Sequence, residues 1–381
     1  MTSKNSEILV VGGGIGGLTT AFHLAHKGRS VLLLEREQRI GYHSTGRSAV
    51  FFRGSHGRAA VRALCRASRP FFEHPPEVLP EQAKLASPRD ALFVSSIVDL
   101  PTLASFVEEV AAGGTSIERL SPEEACARVP LLRRAFVGGA ALEPGGMDID
   151  LPTLLRVLQE GVHRRGGSIR LGAGVQDVER SGSLWRVRTP TGDFAAPILV
   201  NAAGAWCDEI ARAAGAAPIG IVPKRRTVMT FRAESPAVIA RWPMVLEVKE
   251  RFYFRPWGSE ILASPADQTP IPPCDVQPEE ADCRILLQRL ADATTLPLDR
   301  ASVVRRWAGL RSFVPDECPV IGWDPELPGF FWTAALGGFG IETSPAVGSI
   351  AAALLTGEPF PSHVADQGVS ERAFSPSRLR T

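Results

Sequence analysis

The chain has no apolar run long enough to cross a bilayer and no lopsided charge. Lys and Arg number 42 and Asp and Glu 41, a net charge of +1, which argues against a dedicated nucleic-acid surface. The six cysteines (Cys65, Cys126, Cys207, Cys274, Cys283, Cys318) are scattered and form no Cys-x-x-Cys pair, so neither a zinc site nor a disulfide framework is expected. They read as buried or half-buried thiols in a reducing cytoplasm. The seven histidines do not cluster with Cys or Asp at ligand spacing, so no metal site is expected. No Gly-x-Ser-x-Gly elbow, tandem repeat or low-complexity segment is present. The N-terminus shows no signal-peptide cleavage pattern, and the expected location is cytoplasmic. Tyrosine is scarce: there are two, Tyr42 and Tyr253.

What is present points to a globular protein rather than a disordered one. The 381 residues suit about two domains, with 44% hydrophobic and 22% charged residues. The most informative stretch is Ile8 to Glu35. An apolar run, Ile8-Leu9-Val10-Val11, breaks into Gly12-Gly13-Gly14-Ile15-Gly16-Gly17 and enters a helical pattern with Leu18, Ala21, Phe22 and Ala25 on one face. A second apolar run, Val31 to Leu34, ends in Glu35. This is the dinucleotide-binding βαβ pattern, with fingerprint glycines 12, 14 and 17. Gly12 permits the tight turn, Gly14 admits a pyrophosphate to the backbone, and Gly17 lets helix and strand pack closely. The helix N-terminus offers N–H groups to phosphate, and Glu35 can accept from ribose hydroxyls. An ADP-containing cofactor is expected.

Two later segments repeat the strand, small-residue turn and helix more loosely: Pro197 to Trp206 followed by Cys207 to Ala214, and Gly329 to Ser344 followed by a helix from Pro345 to Leu355. The simplest fold brings all three turns to one crevice at the carboxyl ends of parallel strands. Between them, helices are expected over Arg58 to Phe72, Pro101 to Ala112, Leu151 to Arg164 and Pro278 to Ala293. Strands are expected over 91–96, 174–178, 185–189, 225–231, 244–248, 252–255 and 261–263. Ser121 with Glu124 forms a capping-box signature. Glu143 to Asp148 reads as a turn where one domain hands over to another.

The order of the fingerprint, the loop Ser44-Thr45-Gly46-Arg47-Ser48-Ala49, Asn201-Ala202-Ala203-Gly204-Ala205-Trp206 and Gly337-Gly338-Phe339-Gly340 resembles the FAD-dependent D-amino acid oxidase/glycine oxidase superfamily across essentially the whole chain. More narrowly, Gly41 to Ala49, Pro223 to Arg226, Trp307 to Phe313 and Phe331-Trp332 resemble the bacterial D-arginine dehydrogenase group. The resemblance implies an α/β fold: a Rossmann-like FAD-binding domain (1–85, 145–215 and 306–381) and a second, sheet-rich α+β substrate-binding domain (86–144 and 216–305). It implies non-covalent FAD, because no cysteine stands where covalently flavinylated members carry one. The implied cofactor contacts are Gly12, Gly14, Ile15, Gly17, Glu35 and Arg36 in the first unit. In the following loop they are His43, Ser44, Thr45, Arg47, Ser48 and Ala49. Val175, Ala203, Gly204, Trp206 and Gly309 follow, and then Gly337, Gly338, Gly340, Ile341, Glu342 and Thr343.

The same resemblance assigns the chemistry. Arg226 and Arg311 would clamp a substrate carboxylate, since a guanidinium fork matches it bidentately. Tyr253 would add its hydroxyl. His56, in a Gly-flanked loop, is a candidate for proton handling or a lid. The pocket wall would include Phe51, Ala91, Gly338 and Glu342. Ala91 stands where the arginine-specific enzymes carry a glutamate for the substrate guanidinium. Phe51 and His56 replace their His and Tyr, and Glu342 replaces a glutamine. The expected reaction is therefore FAD-dependent oxidation of a D-amino acid with an apolar or neutral side chain rather than arginine. Hydride leaves Cα toward flavin N5, and the resulting imine hydrolyses to a 2-oxo acid. Oxidation of a secondary amine, an N-alkyl amino acid, glycine or a 2-hydroxy acid is the alternative on the same scaffold. Oxygen, a quinone or another carrier would reoxidise the flavin.

Overall fold

The computed structural model describes residues 6–75, 84–298 and 302–380. Two sheets dominate it. The first has six strands in the order Val320–Trp323, Phe330–Ala334, Ile198–Asn201, Ile8–Val11, Val31–Leu34 and Ser168–Arg170. All neighbours pair in parallel except the edge strand Val320–Trp323. The expected apolar runs 8–11 and 31–34 are buried along their whole length, as strands covered on both faces must be. Helices Ile15–His26, Leu151–Arg164, Ala59–Glu73 and Gly340–Thr356 share one core on one face. Trp185 from a three-stranded antiparallel sheet and helix Cys207–Ala214 share the core on the other.

The second sheet has eight strands in the order Val303–Phe313, Val222–Arg232, Glu260–Ser264, Tyr253–Trp257, Met244–Glu247, Ala91–Ser95, Gly139–Glu143 and Glu118–Leu120. It is antiparallel except where Met244–Glu247 lies beside Ala91–Ser95. Helix Glu280–Ala293 packs in the core on one face. The other face carries Tyr253, Ala91, Val228 and Leu246 toward Ala49 of the first layer.

The structure corrects several expected boundaries. The turn expected at 143–148 is narrower: strands Gly139–Glu143 and Met147–Ile149 flank it, with Gly145 at φ 76°. The strand expected at 174–178 is Asp177–Ser181. The last long helix begins at Gly340 rather than after Pro345. Pro345 has no N–H for the Ile341 carbonyl, and the Ser344 hydroxyl donates to that carbonyl at 2.9 Å instead. Strand Val303–Phe313 runs across the boundary expected at 306 and pairs within the eight-stranded sheet. The capping box forms as expected, Ser121 and Glu124 bonding reciprocally.

Candidate active site

The three small-residue turns meet at the carboxyl ends of adjacent strands, because Ile8–Val11, Ile198–Asn201 and Phe330–Ala334 are consecutive in the sheet. Gly12 adopts φ 109°, and a Cβ there would lie 2.3 Å from the Ala202 carbonyl oxygen. Gly17 is equally constrained: its Cβ would lie 2.0 Å from the Gly12 oxygen. Gly14 differs. The nearest atom to a Cβ there is Thr45 Oγ1 at 3.6 Å, and the residue lines a cavity of about 590 Å³.

That cavity gathers most of the expected cofactor residues: Gly12, Gly14, Ile15, Glu35, Arg36, His43, Ser44, Thr45, Arg47, Ser48, Ala49, Val175, Ala203, Gly204, Trp206, Gly309, Gly337, Gly338, Gly340 and Ile341. Several serve differently than expected. Thr45 Oγ1 accepts from Ile15 N at 3.0 Å, so it caps the first helix. Glu35 accepts from Gly13 N at 2.6 Å and Glu37 N at 2.8 Å, which orders the turn while leaving lone pairs for a ribose. Arg47 donates to the carbonyls of Val276 (3.0 Å) and Ala308 (3.2 Å) and pairs with Asp275, tying the loop to the other layer. Ser48 Oγ accepts from Val50 N at 3.1 Å. His43 bonds Glu37 and packs against Trp206, while the Arg36 guanidinium lies 4.6 Å from the Trp206 ring centre.

At the far end of this cavity stand Arg226, Tyr253 and Arg311. Their convergence follows from register. Arg226 pairs with Gly309, and Arg311 lies two residues along the same strand, so both arginines project from one face of neighbouring strands. Arg225 faces the other way, where it pairs with Glu279 and Asp282. The alternation thus separates a structural arginine from a pocket arginine. Arg226 is held by donating from Nε to the Asp267 carbonyl at 2.9 Å. Among the described residues Arg311 has no carboxylate within ion-pair distance. Burial, and then the neighbouring Arg226, lower its pKa to about 10. The Tyr253 hydroxyl is buried and has no hydrogen-bond partner among the described residues. Two guanidiniums and an unpaired buried hydroxyl are what a bound carboxylate would satisfy.

Six expected site residues do not reach this cavity. Gly17 and Thr343 are packed into the first layer; the Thr343 hydroxyl donates to Phe339 O at 2.8 Å. Ala91 is fully buried beside Phe51 and Tyr253 in the apolar cluster behind the clamp. His56 is not on an open lid: its Nδ1 bonds Glu342, and its ring lies edge-on to Phe339. Glu342 is 2% exposed, and burial pushes its carboxyl up to about 8. His56 shifts well down, first through burial and then through Arg53 and Arg311.

The structure adds residues that the sequence reading passed over. The Thr333 hydroxyl is buried without a partner among the described residues, and Thr333 lines the cavity beside Gly16, at the end of a strand that read only as apolar. Arg53 is buried, donates to Ser55 Oγ at 3.2 Å and lies 3.8 Å from Glu250. Its position after Phe51-Phe52, in a segment otherwise poor in charge, was the available signal. Among the described residues no group of three or more His, Cys, Asp or Glu could hold a metal.

The model of the family described as FAD dependent oxidoreductase (DAO) matches residues 7–354. The chain belongs to that family. It is an FAD-dependent oxidoreductase, and the cavity between the sheets has the cradle that FAD requires. The human mitochondrial dimethylglycine dehydrogenase is 24% identical over 376 residues, covering 93% of this chain and 43% of that protein. This chain therefore spans less than half the length of that relative. The glycine oxidase of Geobacillus kaustophilus is 25% identical over 366 residues, covering 92% of each. The crystal structure of L-proline dehydrogenase from P. horikoshii superposes with a TM-score of 0.85 at 25% identity, covering 100% of this chain and 99% of that one. In this FAD-dependent oxidoreductase, the fingerprint turn and the turns at 202–204 and 335–338 would hold the cofactor, with the Gly337–Gly338 end nearest the clamp. Gly338 fits that position: a Cβ there would lie 2.6 Å from an Arg311 guanidinium nitrogen.

Proposed function

We propose that this flavoprotein oxidises a small α-amino carboxylate, with a D-configured amino acid of apolar or neutral side chain as the leading substrate. The observation that carries the reading is the Arg226–Arg311–Tyr253 constellation on the cofactor cavity, with the Tyr253 hydroxyl left unpartnered. A carboxylate held there is oriented by a two-pronged charge and one hydroxyl, which fixes the Cα–H direction. FAD, when bound, supplies the two-electron acceptor. The substrate loses the Cα hydrogen with its electron pair, and the amine nitrogen becomes an imine that water converts to a 2-oxo acid and ammonia. Beside the clamp the cavity is lined by Ala49, Val228, Leu336 and Ile341, which supply no counter-charge for a cationic side chain. That composition supports a neutral substrate over arginine.

A second reading is oxidation of an N-alkyl or secondary amino acid. It is favoured by relatives named for glycine, dimethylglycine and proline. Both readings need the same clamp. Anaerobic mixing of the yellow holoenzyme with D-leucine, D-phenylalanine, D-arginine, glycine, sarcosine and L-proline distinguishes them. Bleaching by a neutral D-amino acid faster than by D-arginine or sarcosine is expected. Faster bleaching by sarcosine or L-proline favours the second reading. If no amino acid reduces the flavin, both fail.

A further inference from the structure

The segment 51–57 lies close enough to the clamp for Arg311 and Arg226 to act on His56, and it is tied to the last long helix. Glu342, in the first turn of helix Gly340–Thr356, reaches across to this segment. One carboxyl oxygen meets His56 Nδ1, and the other accepts from Arg53 N at 3.1 Å. From the other side, Glu143 accepts from Gly54 N at 2.7 Å and Ser55 N at 3.1 Å. Two carboxyl groups from different layers therefore grip four consecutive residues.

We propose that Glu342 and His56 are joined as a pair of uncharged groups, a latch that fixes residues 53–57 against the last long helix without adding charge to the field that binds the substrate carboxylate. This deepens the carboxylate-clamp reading and rests on it. The groups facing the pair come from every element packed on it. They are Arg53 and its guanidinium on the same segment, Arg226 and Arg311 on the paired strands, Glu250 on the hairpin beyond, and Glu143 and Cys65. Arg53, Arg311 and Arg226 disfavour an imidazolium, and Glu250 favours one. Burial pushes the Glu342 carboxyl up to about 8, against the Arg53 N–H, the Arg53 guanidinium and Arg311, which favour a carboxylate. In the uncharged pair the carboxyl O–H donates a hydrogen bond to Nδ1, and its other oxygen accepts the Arg53 N–H. A carboxylate at the same place would sit as a fixed anion near Arg311, where it would compete with the ligand for the same guanidinium. Glu342 is thus a positioning residue, and glutamine is its uncharged isostere.

Two measurements test this. The first is an infrared pH titration of the wild-type protein, read at the C=O stretch of a protonated carboxyl against Glu342→Gln. A band that survives to neutral pH, disappears near pH 8 and is absent from the variant supports the latch. Absence of that band at pH 7 overturns it, whatever the substrate proves to be. The second is the Kd of benzoate, a carboxylate without an amine, followed by the flavin absorption of the holoenzyme. In the wild type the Kd should rise about fivefold from pH 7 to pH 9.5, a normal size for coupling between two sites. Glu342→Gln should bind like wild type at pH 7 and lose that rise. Loss of binding at pH 7 in the variant, or an unchanged alkaline rise, overturns the proposal. If benzoate binds neither protein while the infrared band behaves as expected, the clamp reading fails and the uncharged pair stands.

Discussion

At the scale of single residues, two groups of the clamp, Arg311 and Tyr253, are left unsatisfied among the described residues, and this has opposite consequences for binding and stability. Arg311 has no carboxylate partner there, and burial lowers its pKa to about 10. Replacing it with methionine removes a desolvated charge, so folding stability should hold or rise. Affinity for the carboxylate substrate should fall by about 100-fold or more, on the scale of a lost buried charge pair. Thermal melting and steady-state KM measured on the same variant check both halves. Tyr253→Phe removes a hydroxyl that has no partner among the described residues. It should raise KM by about tenfold, one charge-assisted hydrogen bond, and leave the melting temperature unchanged. A melting loss would mean that the hydroxyl has a structural partner.

At the scale of elements, the fingerprint helix separates two roles that one motif combines. A Cβ at Gly17 would meet the Gly12 carbonyl oxygen at 2.0 Å, whereas one at Gly14 meets nothing closer than 3.6 Å. Gly14→Ala should therefore fold and bind FAD more weakly. Gly17→Ala should fail to accumulate as soluble protein. Circular dichroism and flavin content distinguish them, and a folded, yellow Gly17→Ala protein would contradict the packing argument. These roles were legible from the sequence because strand, turn and helix are contiguous there. The clamp was only partly legible. Strand alternation alone separates Arg225 from Arg226, but which face is the pocket depends on strands paired some 80 residues apart. The His56–Glu342 contact was out of reach, since a histidine between two glycines reads as an exposed loop until a helix 286 residues later is folded against it.

At the scale of the whole molecule, the buried acid of the last helix should leave a signature in the pH profile of stability. Glu342 has a folded pKa near 8 against an unfolded value of 4.5. Between these values the native state holds a proton that the unfolded chain releases, so stability falls as pH rises through that window and levels off above it. Glu342→Gln should abolish this contribution, leaving a flatter profile and a higher melting temperature at pH 8 than wild type. An equal slope in both proteins would show that Glu342 is ionised in the native state. Arg255 acts at the same scale. It donates to the carbonyls of Ala49 (2.7 Å) and Val50 (2.9 Å) and pairs with Asp148, so one guanidinium from the eight-stranded sheet secures the loop beside the cofactor cavity.

The strand that carries Arg311 ends in a hydrogen bond between Gly337 N and Ser312 O at 2.9 Å. The anchor and the glycine corner are therefore stitched together one residue away from the anchoring side chain. Neither can drift without dragging the other, and the reach from carboxylate to reacting carbon is set like the gap of a fixed caliper. A bulkier substrate must then find its room against the remaining walls, among them Val228 and Leu336. Reshaping those walls, rather than the jaws, is the route by which this scaffold would accept a new side chain.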